Sequence, residues 1–83
     1  MKDPVRVALA QSVSLPVSPE ELGDNDNLFD AGLSSFDLIN LITFLEDRHG
    51  LEFPPEFMDR DHFKTIGRIQ AVLAALTEKS HVS

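Results

Sequence analysis

Two adjacent serines, Ser34 and Ser35, stand where a long acidic loop gives way to an amphipathic helix, in the stretch Leu28-Phe29-Asp30-Ala31-Gly32-Leu33-Ser34-Ser35-Phe36-Asp37-Leu38-Ile39. The hydroxyl of Ser34 can accept a hydrogen bond from a backbone N–H that the first helical turn leaves unpaired, which makes it the expected N-cap. Asp37, three residues on, supplies the other half of something close to a capping box. With Ser34 as cap, Ser35 is the first helical residue, its side chain outside the helix and beside free amide donors and the positive end of the helix dipole. An exposed anion is stabilised at such a place by about 0.3–1 kcal/mol, so a phosphate esterified to Ser35 is chemistry that this junction suits. Helix chemistry alone is also satisfied by two serines that only cap the helix and close the loop.

Other chemistry is hard to build from these residues. Gly32-Leu33-Ser34-Ser35-Phe36 lacks the closing glycine of the Gly-x-Ser-x-Gly elbow and has no strand before it. The three histidines, His49, His62 and His81, fall on separate segments and lack the i, i+4 spacing of a zinc-binding helix. Asp24-Asn25-Asp26-Asn27 starts like a calcium loop. The pattern fails at Leu28, at Phe29 where glycine is required, and at Ser35 where the bidentate glutamate belongs. No phosphate-binding glycine loop is present. With no cysteine in the chain, any thiol chemistry has to arrive on a cofactor. The expectation is a protein that is not itself an enzyme and holds no metal.

The 83 residues, with four glycines and 42% hydrophobic content, fit one small domain spanning 1–83 with a modest core. Twelve acids against Arg48 and Arg60 give residues 18–61 a charge of −10, while the flanks carry +3, for a net −7. An acidic middle argues against nucleic acid, whose phosphates are gripped by Lys and Arg, and favours basic patches on protein partners. Acidic surfaces also simply keep small proteins soluble. No stretch approaches the roughly 20 apolar residues of a membrane span, and Met1-Lys2-Asp3-Pro4 does not open a signal peptide. A cytoplasmic monomer that engages no membrane is expected.

The elements that must position the serines are all helical. Asp3-Pro4 opens a first helix, with Val5, Ala8, Leu9, Val13 and Leu15 at core spacing, Arg6 and Gln11 towards water, and an end near Ser14 before Pro16. A long loop, 15–33, is expected to be held by Val17, Leu22, Leu28 and Phe29, with one helical turn near Pro19-Glu20-Glu21. The second helix runs from Ser35 to about His49, where Gly50 ends it, and buries Leu38, Leu41, Ile42 and Leu45. Phe36, Ile39 and Phe44 lie off that stripe and broaden its apolar surface. Leu51-Glu52-Phe53-Pro54 is extended before Pro55. The turns at 55–59 and 61–63 read as a short helix packed through Phe53, Phe57, Met58 and Phe63. Thr65 caps a last helix with the stripe Ile66, Ile69, Val72, Leu73 and Leu76, fraying from about residue 78. The fold class is all-α, a small bundle of three main helices and one short one.

The run Phe29-Asp30-Ala31-Gly32-Leu33-Ser34-Ser35-Phe36, followed by an amphipathic helix and Leu51-Glu52-Phe53-Pro54, resembles the acyl and peptidyl carrier proteins. Their Gly-x-(Asp/His/Ser)-Ser-(Leu/Phe/Met) signature falls on Gly32, Ser34, Ser35 and Phe36. The resemblance implies that Ser35 receives 4′-phosphopantetheine from coenzyme A and that the arm's thiol then holds cargo as a thioester. It implies as partners a phosphopantetheinyl transferase, an acyl- or amino acid-loading ligase, and downstream acyl or aminoacyl transferases. Recognition is expected at Asp30, Leu33, Phe36, Ile39 and Asn40. Asn40 stands where many members carry an acid, and Ser-Ser-Phe replaces the Asp-Ser-Leu usual in fatty-acid carriers. Together with Glu52-Phe53-Pro54 and Asp59-Arg60 before Phe63-Lys64-Thr65-Ile66, the motif is similar to stand-alone carriers loaded with amino acids by ligases related to class II aminoacyl-tRNA synthetases. The alternative is a cofactor-free acidic interaction module that binds a basic partner through the helix face around Phe36 and Ile39.

Overall fold

The computed structural model describes residues 3–82, with side chains through residue 77. Three α-helices, α1 (Pro4–Ser12), α2 (Ser35–His49) and α3 (Ile66–Val82), are joined by connections that carry 3₁₀ turns at Pro19–Glu21 and Pro55–Phe57. No strand occurs among the described residues. The architecture is the all-α bundle expected, with α1 packed on both α2 and α3. Helix α3 continues through Val82, across the stretch from about residue 78 where fraying is expected.

Helix α1 begins as its sequence dictates. Asp3 Oδ1 accepts from Val5 N at 2.9 Å, and Pro4 takes the first position, where a missing donor costs nothing. It stops at Ser12, two residues before the expected end. Val13 turns extended, at φ −135°, and Ser12 Oγ folds back onto the Ala8 carbonyl at 2.6 Å. Arg6 was expected to face water and does not. Its guanidinium spans Asp3, Asp24 and the carbonyls of Pro19 and Leu22, tying the long loop to α1. The hydrogen bond to Asp24, then that to Asp3, raises the Arg6 pKa further above its ordinary value, against the opposing effect of burial.

The loop is anchored by buried Leu22 and Leu28 and half-buried Phe29, as expected, but not by Val17, which is exposed in a surface bend after Pro16. Backbone bonds finish the anchoring. Leu28 N donates to Lys64 O at 2.7 Å and Gly67 N to Asp24 O at 2.9 Å. A Cβ at Gly67 would meet that Asp24 carbonyl at 3.3 Å, so the close approach suits glycine.

The expected short third helix is a 3₁₀ turn followed by a hydrogen-bonded turn in which Phe63 N donates to Arg60 O. Two prolines at its head lack backbone donors and hold Phe53 and Pro54 extended. Phe53 and Phe63 are buried with ring centroids 5.4 Å apart, whereas Met58, expected to pack, is 46% exposed beyond the turn. Thr65 caps α3, accepting from Arg68 N at 3.1 Å, and Gln70 Nε2 reaches back to Asp3 at 2.6 Å. Every residue of the expected stripes on α2 and α3 is buried, and no buried side-chain polar atom lacks a partner among the described residues.

Candidate functional site

The turn that delivers the serines is built from both ends. Asn27 Oδ1 accepts from Phe29 N at 2.9 Å and Asp30 N at 3.2 Å, while Leu33 N closes onto Leu28 O at 3.0 Å. Leu28 and Leu33, 0% and 3% exposed, plug the turn into the core at its two ends. Between them Gly32 adopts φ +117°, where a Cβ would stand 3.0 Å from Pro16 Cδ; only glycine passes there without strain. The chain therefore enters α2 at a fixed angle.

At the helix head the capping box forms in full. Ser34 Oγ accepts from Asp37 N at 3.0 Å, and Asp37 Oδ2 accepts from Ser34 N at 3.1 Å. Ser35 is left exposed as the first helical residue, and the N–H groups of Ser35 and Phe36 keep no protein acceptor among the described residues. One side chain reaches the Ser35 hydroxyl. Arg60 Nη1 donates to Oγ at 3.3 Å, and its guanidinium carbon lies 4.0 Å from the centroid of the Phe29 ring. Among the described residues no carboxylate or imidazole accepts a hydrogen bond from Ser35 Oγ, and arginine stays protonated. The hydroxyl thus has no internal base and makes a poor nucleophile on its own account.

Of the recognition candidates, Phe36 and Ile39 are 72% and 61% exposed on the same edge of α2 as Ser35. Asp30 is exposed and Asn40 half-buried. Leu33 has to be removed from that group: as a plug of the turn it offers no side-chain surface to a partner. Arg60 was missed as a site residue. It lies 25 positions from Ser35, and no helical or strand spacing joins the two. The histidines stay apart from the serine. His62 pairs with Asp59 at 2.7 Å, an arrangement that lowers the Asp59 pKa, chiefly through the His62 backbone N–H and then its ring. No cluster of metal-ligating side chains occurs among the described residues.

An exposed serine at a capped helix head, lacking a base and flanked by open N–H donors and one cation, suits a hydroxyl that is to be esterified with an anion. The chain belongs to the phosphopantetheine attachment site family, whose model matches residues 7–75, and its cofactor is covalently attached 4′-phosphopantetheine. A 4-methyl-3-hydroxyanthranilic acid carrier protein of Streptomyces anulatus is 40% identical over 75 residues, covering 90% of this chain and 91% of that one. An aminoacyl carrier protein of Agrobacterium fabrum is 33% identical over 70 residues, 84% of each chain. Among solved structures, the fold matches a carrier protein from Agrobacterium tumefaciens bound to an engineered Bradyrhizobium japonicum glycine:[carrier protein] ligase with ATP. The TM-score is 0.82 at 31% identity, over 86% of this chain and 92% of that one. The protein is a carrier, and no described helix is long and apolar enough to cross a membrane.

Proposed function

We propose that Ser35 is the attachment point and that the cargo is an amino acid or a related amino-bearing carboxylic acid, loaded by an amino acid:[carrier protein] ligase. The observation that carries the first half is the exposed Ser35 Oγ at the capped head of α2, beside Arg60. In attachment, Ser35 Oγ forms the new P–O bond as the pyrophosphate link of coenzyme A breaks, and the nucleotide portion leaves. The proton of Oγ passes to a base that the phosphopantetheinyl transferase has to supply, since none of the described residues offers one there. Once bound, the group supplies a thiol that carries cargo as a thioester; the protein supplies attachment, presentation and recognition.

The cargo is supported by the relatives: one is named for an anthranilic acid, another for aminoacyl groups, and the matched fold sits on a glycine ligase. Phe36 and Ile39, with Asp30 and Asn40 at their margins, form the face that meets these enzymes. Large exposed apolar side chains beside a reacting group are suited to protein docking. The reading carries with it a cytoplasmic monomer, not itself a catalyst, that meets transferase, ligase and downstream acyl or aminoacyl transferases in turn.

The test is intact mass after incubation with coenzyme A and a broad-specificity phosphopantetheinyl transferase. A gain of one phosphopantetheine that persists in Ser34→Ala and vanishes in Ser35→Ala is expected. Loading of the product by a panel of amino acid:[carrier protein] ligases then reads the cargo. No mass gain in folded wild type with several transferases would sink this reading and favour the cofactor-free interaction module.

A further inference from the structure

We infer that Arg60 is the residue that grips the phosphodiester on Ser35, and that Phe29 holds the guanidinium in position for it. The inference rests on Ser35 being the attachment point.

Arg60 is an unusual cation in this chain. Residues 18–61 contain only two bases, and the other, Arg48, lies over the Phe44 ring in the last turn of α2. Arg6 and Arg68 each pair with carboxylates, Asp3 and Asp24 for one and Asp61 for the other. Arg60 pairs with none among the described residues, although Asp30 and Asp61 line the same shallow groove. It faces a neutral hydroxyl instead, at 3.3 Å. A guanidinium set in acidic surroundings yet directed at an uncharged acceptor lacks the anion that its charge and fork geometry suit. Esterifying Ser35 would place that anion there.

The geometry needs little change. A non-bridging phosphate oxygen lies two bonds from Oγ, so a guanidinium already in contact with Oγ reaches one by rotating its own side chain. Stacking on Phe29 at 4.0 Å restricts that side chain beforehand, which reduces the entropy lost when the ion pair forms. The open N–H groups of Ser35 and Phe36 and the dipole of α2 provide the remaining positive potential. Arg60 thereby fixes the first bonds of the arm where it leaves the protein, while its thiol end stays free.

The experiment compares apo and holo protein, the holo state being verified by mass, in wild type, Arg60→Gln, Arg60→Lys and Lys64→Gln. Lys64 lines the same groove, so Lys64→Gln removes an equal charge without touching Ser35. Two signals are read: solvent exchange of the Arg60 Nε–H, and the ³¹P resonance of the phosphodiester. In wild type, exchange is expected to slow about two- to fivefold on modification, the factor that an exposed ion pair supports, and to recover its apo rate in high salt. The ³¹P resonance should move in Arg60→Gln, move less in Arg60→Lys, and hold in Lys64→Gln. Unchanged exchange between apo and holo, or a ³¹P shift in Lys64→Gln as large as in Arg60→Gln, would overturn the assignment while Ser35 attachment stands. Absence of the mass gain itself would instead remove the attachment on which the assignment depends.

Discussion

Replacing Ser34 and Ser35 separately by alanine should give opposite results in two assays, because Ser34 caps the helix while Ser35 stands exposed as the proposed attachment point. Ser34→Ala removes Oγ, the acceptor for Asp37 N at 3.0 Å, and leaves a first-turn donor to water. The reciprocal bond from Ser34 N to Asp37 survives, since it uses the backbone. Loss of a serine cap costs about 0.5–2 kcal/mol, and with half the box retained about 1 kcal/mol is expected. In a domain of this size that lowers Tm by about 4–8 °C. Ser35→Ala removes an exposed hydroxyl whose one side-chain partner among the described residues is Arg60 at 3.3 Å, so its stability should stay within about 0.5 kcal/mol of wild type. Thermal unfolding of the apo proteins by circular dichroism reads the stability, and intact mass reads modification. The expected pattern is a less stable Ser34→Ala that is still modified, and a fully stable Ser35→Ala that is not. A Ser35→Ala protein as destabilised as Ser34→Ala would refute the division of labour, as would folded Ser34→Ala that cannot be modified.

Gly32→Ala should lose about 1–3 kcal/mol in urea titration, because the new Cβ meets Pro16 at 3.0 Å on a residue held at φ +117°; undiminished stability would mean that the turn yields. The folded-state pKa of Asp59 lies below its ordinary 3.8, so its stabilising effect is present above that value and fades as pH falls through the lowered one. Wild type and Asp59→Asn should therefore differ in stability near neutral pH and converge in strong acid, and a difference that grew on acidification would contradict the pairing. Phe36→Ser with Ile39→Ser should leave stability within about 0.5 kcal/mol at each site, since both side chains are largely exposed, yet slow loading by the ligase. Loading at the wild-type rate would remove that face from partner recognition.

Helix α2 was legible down to its ends, because a serine cap, an acid three residues later and a glycine at Gly50 in the left-handed region are all local signals. The core stripes were equally legible, since periodicity reports one helix at a time. What escaped was set by contacts between segments far apart in sequence. Arg6 reads as a surface cation until the loop folds its carbonyls over it. Leu33 sits two residues before Ser35 in sequence, but the turn from Leu28 drives it inward. Met58 and Val17 have core-like chemistry in stretches where prolines carry the chain across the surface. Arg60 reaches Ser35 only because the loop after Pro55 crosses the head of α2.

The bonds from Leu28 to Lys64 and from Gly67 to Asp24 bear on how such a carrier searches for its partners. They tie the loop between α1 and α2 to Lys64 and to Gly67 at the start of α3, so the turn under Ser35 is pinned to the bundle from outside its own segment. A carrier whose attachment turn is pinned in this way moves its cargo between enzymes through the arm and through diffusion of the whole domain.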